Sequence, residues 1–186
     1  MANKESQRVF SDDNRIYIIG EFDEEMENGL VWYITKKIKE LKDRKDAELE
    51  VYINSPGGNG YLLVHLVELL EQAKREGITV KTIVTGHAYS CGSLLAVVGT
   101  PGHRYISKYG EHLLHYGSFD GGRKYTPMQI DRDSARWKRW TKQLLKHYEK
   151  YAEVPDLEEH MKDDNFWVQA SDCIKWKLAD KYIEEL

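Results

Sequence analysis

The sequence predicts a single α/β domain in which strands and helices alternate along the chain. Its 186 residues suit one domain, and 41% of them are hydrophobic, which is enough for a substantial core. Short apolar runs such as Ile16–Ile19 and Leu49–Ile53 have the length of buried strands. A longer segment with helical spacing of apolar residues follows each run, and this alternation is typical of an α/β fold.

The individual elements follow from apolar spacing and from the glycines and prolines that interrupt it. In chain order they are a strand at 16–19, a helix over about 25–42, a strand at 49–53, a helix that ends at Gly77, a strand at 80–84, a short buried helix at 93–98, short strands at 104–107 and 113–115, a long amphipathic helix over about 127–152, and a final short helix and strand. Residues 1–14 are polar and charged, and we expect them to form an N-terminal arm on a single domain of residues 15–186.

Composition argues against several functional classes. The net charge is −4, whereas a nucleic-acid-binding domain usually carries a basic patch. The apolar runs fall well short of the roughly 20 residues that span a bilayer, and the polar start lacks the apolar core of a signal peptide. The two cysteines, Cys91 and Cys173, form no CxxC pair and are too few for a zinc site. We therefore expect a soluble, cytoplasmic protein with free thiols and without a metal, a nucleic-acid partner or a membrane partner.

A serine stands between a predicted strand and a buried helix, in the segment GHAYSCG at 86–92. This placement follows the logic of a nucleophile elbow, although the GxSxG pattern is absent. Backbone N–H groups at a helix N-terminus are unpaired and carry partial positive charge. An oxyanion that formed beside Ser90 would therefore meet hydrogen-bond donors. Taken alone, Ser90 also fits a helix cap.

The glycine-rich turn INSPGG, at 53–58, follows another predicted strand. Gly57 and Gly58 permit positive φ and a close approach of the backbone to a ligand. The turn could supply oxyanion donors or hold an extended peptide, and taken alone it also fits a tight connection between strand and helix. No GxGxxG or GxxxxGK[ST] pattern is present, so the sequence does not support nucleotide binding.

His115 and Asp164 complete the set of candidates. His115 follows two leucines and, alone, fits a structural histidine, whereas Asp164 alone fits the cap of a following helix. Outside GHAYSCG, the remaining histidines show neither metal-ligand spacing nor an HExxH motif, and we interpret them as surface or structural residues: His65, His103, His112, His147 and His160.

Taken together and in this order, INSPGG, GHAYSCG, Leu114-His115 and Asp164-Asn165-Phe166 resemble the ClpP peptidases. The separations, 25 residues from Ser90 to His115 and 49 from His115 to Asp164, are similar to those of the family, and the resemblance runs from about residue 15 to the end. It implies a serine endopeptidase with Ser90 as nucleophile, His115 as general base and Asp164 as the residue that orients the histidine. It also implies an oxyanion hole formed by the N–H groups of Gly58 and Cys91.

The same resemblance implies the spiral of ββα units shared with the crotonase superfamily, with a protruding handle over about 116–152. Trp137 and Trp140 would be exposed on this handle and would contact a second ring. Subunits would form a homo-oligomer of two stacked heptameric rings around a closed chamber. An extended polypeptide substrate would be aligned by four residues near the nucleophile: Gly57, Tyr116, Gly117 and Ser118. The chain would need no cofactor, because a separate unfoldase of the Clp/Hsp100 class would use the ATP.

Four features depart from the family's usual pattern, and one of them is Trp176-Lys177-Leu178 in place of a Tyr-Gly-Leu-like turn. The N-terminal segment is short and polar instead of an apolar gating stretch, Lys162-Asp163 replaces an Asp-Arg pair, and Cys91 replaces a methionine. These departures are typical of a divergent member, such as one from a phage or plasmid.

Three alternative functions remain open at this point. An inactive scaffold ring disagrees with the intact triad, and an acyl-CoA enzyme of the crotonase type would use glutamate acids in a longer chain. A phage head-maturation protease shares the same triad, and a neighbouring ATPase or capsid gene would separate it from an ATP-dependent protease.

Overall fold

Strands and helices alternate along the residues that the computed structural model describes, which are 9–117, 126–162 and 165–186. The strands are β1 (Val9–Asp12), β2 (Arg15–Ile19), β3 (Glu48–Ser55), β4 (Thr79–Tyr89), β5 (Arg104–Ile106), β6 (Glu111–Leu114), β7 (Phe166–Gln169) and β8 (Lys181–Tyr182). The helices are α1 (Glu24–Leu41), α2 (Gly60–Arg75), α3 (Cys91–Val97), α4 (Pro127–Tyr151), α5 (Leu157–Lys162) and α6 (Ala170–Lys175), and a 3-10 turn, Ile183–Glu185, follows β8.

Parallel pairing dominates the sheet. Its strand order is β1-β2-β3-β4-β5-β8, with β6 paired to β4 and β7 paired to β6. Only β1 on β2 and β7 on β6 pair in the antiparallel direction within the described chain. Besides β3, the long strand β4 pairs with two further strands, because residues 82–84 pair with β5 and residues 87–89 pair with β6. The α/β prediction is therefore confirmed.

Helix starts are fixed by side-chain caps, and the helices cover the sheet with apolar stripes. Asp23 accepts a hydrogen bond from the Met26 amide at the start of α1, and Asn59 accepts one from the Tyr61 amide at the start of α2. Such caps pair amides that would otherwise lack a partner. Helix α3 is buried along its whole length, so other parts of the chain surround it on every side.

Several predicted boundaries change in the structure. Residues 9–12, which we expected in the N-terminal arm, form β1 on the edge of the sheet, where backbone pairing alone defines a strand. Strand β4 continues to Tyr89, five residues beyond the strand predicted at 80–84. The element after Asp164 is strand β7 and not a helix, because 166–169 pair with β6 before α6 begins.

Among the described residues, each helix is too short or too polar to cross a lipid bilayer.

Candidate active site

The INSPGG turn is built around an irregularity between β3 and β4. The parallel register of the two strands shifts at Asn54, and the side-chain oxygen of Asn54 accepts a hydrogen bond of 3.1 Å from the His87 amide. Gly86 leaves room for this side chain, because a Cβ there would come within 2.6 Å of the same oxygen. Asn54 thus replaces a backbone partner in the ladder, which explains why β4 runs on to Tyr89.

Ser55 fixes the two glycines that follow. Its buried hydroxyl donates to the Gly20 carbonyl oxygen at 2.6 Å and accepts from the Gly57 amide at 3.1 Å. Gly57 and Gly58 have φ values of +96° and +135°, which side-chain-bearing residues rarely adopt. The Gly57 N–H is therefore occupied, and the next amide in the turn belongs to Gly58.

Gly57 lies directly against the predicted nucleophile. A Cβ at this position would come within 2.7 Å of the Tyr89 carbonyl oxygen, 2.8 Å of the Ser90 Cβ and 3.0 Å of the Cys91 nitrogen. Because real Cβ atoms essentially never approach other atoms so closely, only glycine allows the INSPGG turn to reach the start of α3.

Ser90 has the backbone of a strained turn and not that of a simple helix cap. Its φ and ψ are 52° and −118°, a conformation that is uncommon outside glycine and that often marks a functional site. Ser90 occupies the N-cap position of α3, yet its side chain makes no capping hydrogen bond. A serine held this way between a strand and a helix presents its hydroxyl as a nucleophile elbow does.

His115 is brought to the same place by the sheet. In the parallel pairing of β4 and β6, Tyr89 lies opposite Leu113, so that Ser90 and His115 both follow the carboxyl ends of neighbouring strands. Ligands of open parallel sheets bind at this edge. Ser90 and His115 line one cavity of about 1210 Å³, together with Gly58, Cys91, Tyr116 and Gly117.

The thiol of Cys91 has a structural contact. Its Sγ lies 3.2 Å from the Gly58 carbonyl oxygen, to which it donates. Burial raises the pKa of the Cys91 thiol, so that it stays protonated at neutral pH and does not compete with Ser90 as a nucleophile. The contact also holds Gly58 beside the first turn of α3.

Two tryptophans of α4 close the cavity from the other side. A Cβ on Gly60 would lie 3.1 Å from the Trp140 ring, and a Cβ on Gly117 would lie 3.6 Å from the Trp137 ring. Both indoles are half-buried and line the cavity. Trp137 and Trp140 are therefore half-buried and not fully exposed as predicted, because glycines of the same chain leave space for the rings. Their contact with a second ring stays a prediction.

Ser118 and Asp164, two of the predicted site residues, lie outside the described residues, as does the rest of the segment 118–125 before α4. The described chain resumes near Asp164 at Asn165, and Phe166, the first residue of β7, pairs with Leu114. Leu114 directly precedes His115. Among the described side chains, no group of three or more His, Cys, Asp or Glu could hold a metal ion.

Sequence reasoning missed the residues that support the site. Asn54 and Ser55 were included in the INSPGG motif without a role of their own. Two polar side chains directly before Pro-Gly-Gly nevertheless indicate a turn that is fixed by side-chain hydrogen bonds. It also missed the contribution of α4, whose residues Ile130, Arg136 and Arg139 line the cavity. Nothing in the spacing of that helix indicates which part of the molecule its stripe contacts.

Comparison with known proteins agrees with the α/β fold. The model of the Clp protease family matches residues 2–185. The chain is 26% identical to an ATP-dependent Clp protease proteolytic subunit of Streptococcus mutans, over 92% of this chain and 85% of the relative. It is 28% identical to the same type of subunit from Leuconostoc citreum, over 90% and 82%. It is 29% identical to ATP-dependent Clp protease proteolytic subunit 4 of Rhodococcus jostii, and this match spans 64% of the chain and 60% of the relative.

Proposed function

The chain belongs to the Clp protease family and is a peptidase, and on this premise we propose that it is a serine endopeptidase of the ATP-dependent Clp type. The observation that carries the proposal is the strained backbone of Ser90, whose hydroxyl makes no capping bond and which shares a cavity with His115. A family likeness alone would fit an inactive ring equally well, whereas a strained serine in a cavity is costly unless it is used.

The proposed chemistry divides peptide hydrolysis into two steps. His115 accepts the proton of Ser90 as Oγ attacks the carbonyl carbon, and then delivers this proton to the leaving amine. A water molecule, deprotonated by His115, next attacks the acyl-enzyme ester and releases the carboxylate product, with the proton returned to Ser90. Each step passes through a tetrahedral oxyanion that needs hydrogen-bond donors.

Asp164 is proposed to orient His115. It stands two residues before Phe166, whose β-sheet partner Leu114 directly precedes His115. Two residues of extended chain reach at most about 7 Å, so this register supports a contact between the two side chains. A carboxylate there would hold the imidazole in the required tautomer and would stabilise the imidazolium.

The proposed oxyanion donors are the N–H groups of Gly58 and Cys91. The preceding amides are engaged elsewhere, since Gly57 donates to the Ser55 hydroxyl and Ser90 donates to the Leu113 carbonyl oxygen. Gly58 and Cys91 both line the cavity beside Ser90. Loss of one oxyanion donor typically lowers turnover about 100- to 1000-fold.

The proposed substrate is an unfolded polypeptide bound as an extended strand. Gly57, Tyr116 and Gly117 lie near the nucleophile. Together with Ser118, which follows Gly117 in the sequence, they would align the substrate through main-chain hydrogen bonds. By analogy with the family, two stacked heptameric rings would enclose the sites, and a separate Clp/Hsp100 ATPase would feed the chamber. The chain itself would then need no cofactor, and the names of its relatives favour this role over a phage head-maturation protease or a scaffold ring.

Hydrolysis of a disordered, fluorescently labelled polypeptide tests the proposal. We expect Ser90→Ala to lower the rate at least about 1000-fold. Ser107→Ala is the matched control, because Ser107 is not among the described residues that line the cavity and its hydroxyl accepts a hydrogen bond from the Tyr109 amide. A wild-type rate in Ser90→Ala would contradict the serine mechanism. A folded substrate is expected to be cleaved only when an Hsp100 ATPase and ATP are added.

A further inference from the structure

A second serine–histidine pair lies directly behind the proposed catalytic pair. Ser93 is one helical turn beyond Ser90 on α3, and His112 is three residues before His115 on β6. The Ser93 Oγ and the His112 Nδ1 are 2.9 Å apart, and both residues are 0% exposed. Because no polypeptide can reach them, this pair cannot itself carry out hydrolysis.

The Ser93 hydroxyl joins three elements of the site. It links α3, which starts at the nucleophile, to β6, which leads to the base. The Tyr148 side chain, on α4, interacts with the same hydroxyl. Tyr148 is 2% exposed and lines the cavity, and its helix also carries the two tryptophans that close the cavity.

The buried position of His112 does not stabilise the fold. Its Nε2 is buried and has no hydrogen-bond partner among the described residues, an arrangement that is unfavourable for folding and rare in native proteins. A leucine would fill such a site without that cost. Burial and the nearby charge of Arg104 lower the pKa of His112 to about 3, so the ring is a neutral, fixed hydrogen-bond partner at any working pH.

We propose that Ser93, held by His112 and Tyr148, is a positioning residue that fixes Ser90 relative to His115. The inference rests on the proposed function of Ser90. The strained backbone of Ser90 persists only if its surroundings over-determine it, and α3 is only seven residues long. A bond in its first turn prevents the helix from sliding or rotating, and a misplacement of about 1 Å can cost about 100-fold in rate.

The test compares steady-state kinetics and the rate of Ser90 labelling by a fluorophosphonate in three proteins. We expect Ser93→Ala to lower kcat and the labelling rate about 10- to 100-fold, with KM within about twofold of wild type. Thr82→Val is the matched control, because the buried Thr82 hydroxyl donates to the Ala96 carbonyl oxygen at 2.6 Å, at the far end of the same helix. That variant loses a similar bond, and its kcat is expected to stay within about threefold.

Replacement of His112 by asparagine or by leucine distinguishes a positioning role of its hydrogen bond from a role in packing alone. His112→Asn puts an amide close to the place of Nδ1 and should keep most of kcat, whereas His112→Leu fills the space without a hydrogen bond and should resemble Ser93→Ala. Equal kcat values for Ser93→Ala and Thr82→Val, or for the two His112 variants, would overturn the proposal.

Two further comparisons keep the test decisive. If Ser93→Ala fails to assemble, Tyr148→Phe removes a single oxygen from the same contact, and an unchanged kcat in that variant would overturn the proposal. Failure of wild-type protein to label at Ser90 would refute the serine mechanism, and the positioning role with it. Equal labelling of wild type and Ser93→Ala at Ser90 would refute the positioning role alone.

Discussion

The backbone amide of Ser90 donates a hydrogen bond of 2.8 Å to the carbonyl oxygen of Leu113. This bond continues the parallel pairing of β4 with β6 one residue beyond Tyr89. It fastens the turn that carries the proposed nucleophile to the strand that reaches His115 two residues later. Because the bond occupies the Ser90 N–H, the oxyanion donors are proposed at the neighbouring amides.

The contact between Gly57 and the start of α3 predicts that Gly57→Ala inactivates the enzyme. The new methyl would collide with the Tyr89 carbonyl oxygen and with Ser90, so the turn must withdraw from the nucleophile. We expect kcat to fall at least about 100-fold, as for loss of an oxyanion donor. Gly77→Ala is the control, because φ at Gly77 is also positive but nothing lies within 4 Å of its Cβ position. A similar kcat in the two variants, measured on a short peptide, would contradict this role of Gly57.

The proposed orientation of His115 predicts a large effect of Asp164→Asn. The neutral amide would favour the wrong imidazole tautomer, and kcat should fall about 10,000-fold while the assembly stays intact. Asp163→Asn provides the neighbouring control and should retain most activity. Peptide hydrolysis and light scattering check both parts, and near-normal turnover in Asp164→Asn would remove Asp164 from the mechanism.

The raised pKa of Cys91 predicts that its thiol reacts slowly with alkylating reagents and that its side chain is not needed for turnover. Because burial raises this pKa, the thiolate fraction at pH 7 is below that of an ordinary cysteine and increases as the pH rises. Iodoacetamide should therefore modify Cys91 slowly at pH 7 and faster at higher pH, as read by mass spectrometry. Cys91→Ala should keep kcat within about tenfold, since the N–H donor remains. Loss of all turnover in this variant would instead indicate a cysteine nucleophile.

The proposed rings predict a particular mass in solution. Fourteen copies of the 21.7 kDa chain would give a particle of about 300 kDa, and multi-angle light scattering at micromolar concentration measures it. A monomeric mass would contradict the proposed assembly and would leave the active site open to folded proteins.

The sequence predicted most of the fold because its strands and helices are marked by burial. The strand at 49–53 and the helix α2 were predicted correctly, because the buried residues of each recur at the spacing of its secondary structure. Strand β1 and strand β7 could not be read this way. Both have only four residues and are defined by backbone pairing with a neighbour, and so short a run does not show a clear apolar period.

The candidate site was only partly predictable for a similar reason. The motifs predicted that Ser90 and His115 lie together, and both line one cavity. Each residue follows the carboxyl end of a strand, and the two strands are paired in the sheet. The helical stripe of α4 indicated an apolar face but not its partner, and Trp137 and Trp140 pack over their own cavity. The Ser93–His112 hydrogen bond could not be predicted, because no sequence spacing links a residue of a helix to a partner on a distant strand.

The most direct test of the serine mechanism is labelling of the assembled protein with a fluorophosphonate probe, with the modified residue identified by mass spectrometry. We predict modification at Ser90 that disappears in Ser90→Ala and persists in Cys91→Ala. Absence of labelling in assembled wild-type protein, or labelling at another residue, would contradict the assignment of Ser90 as the nucleophile.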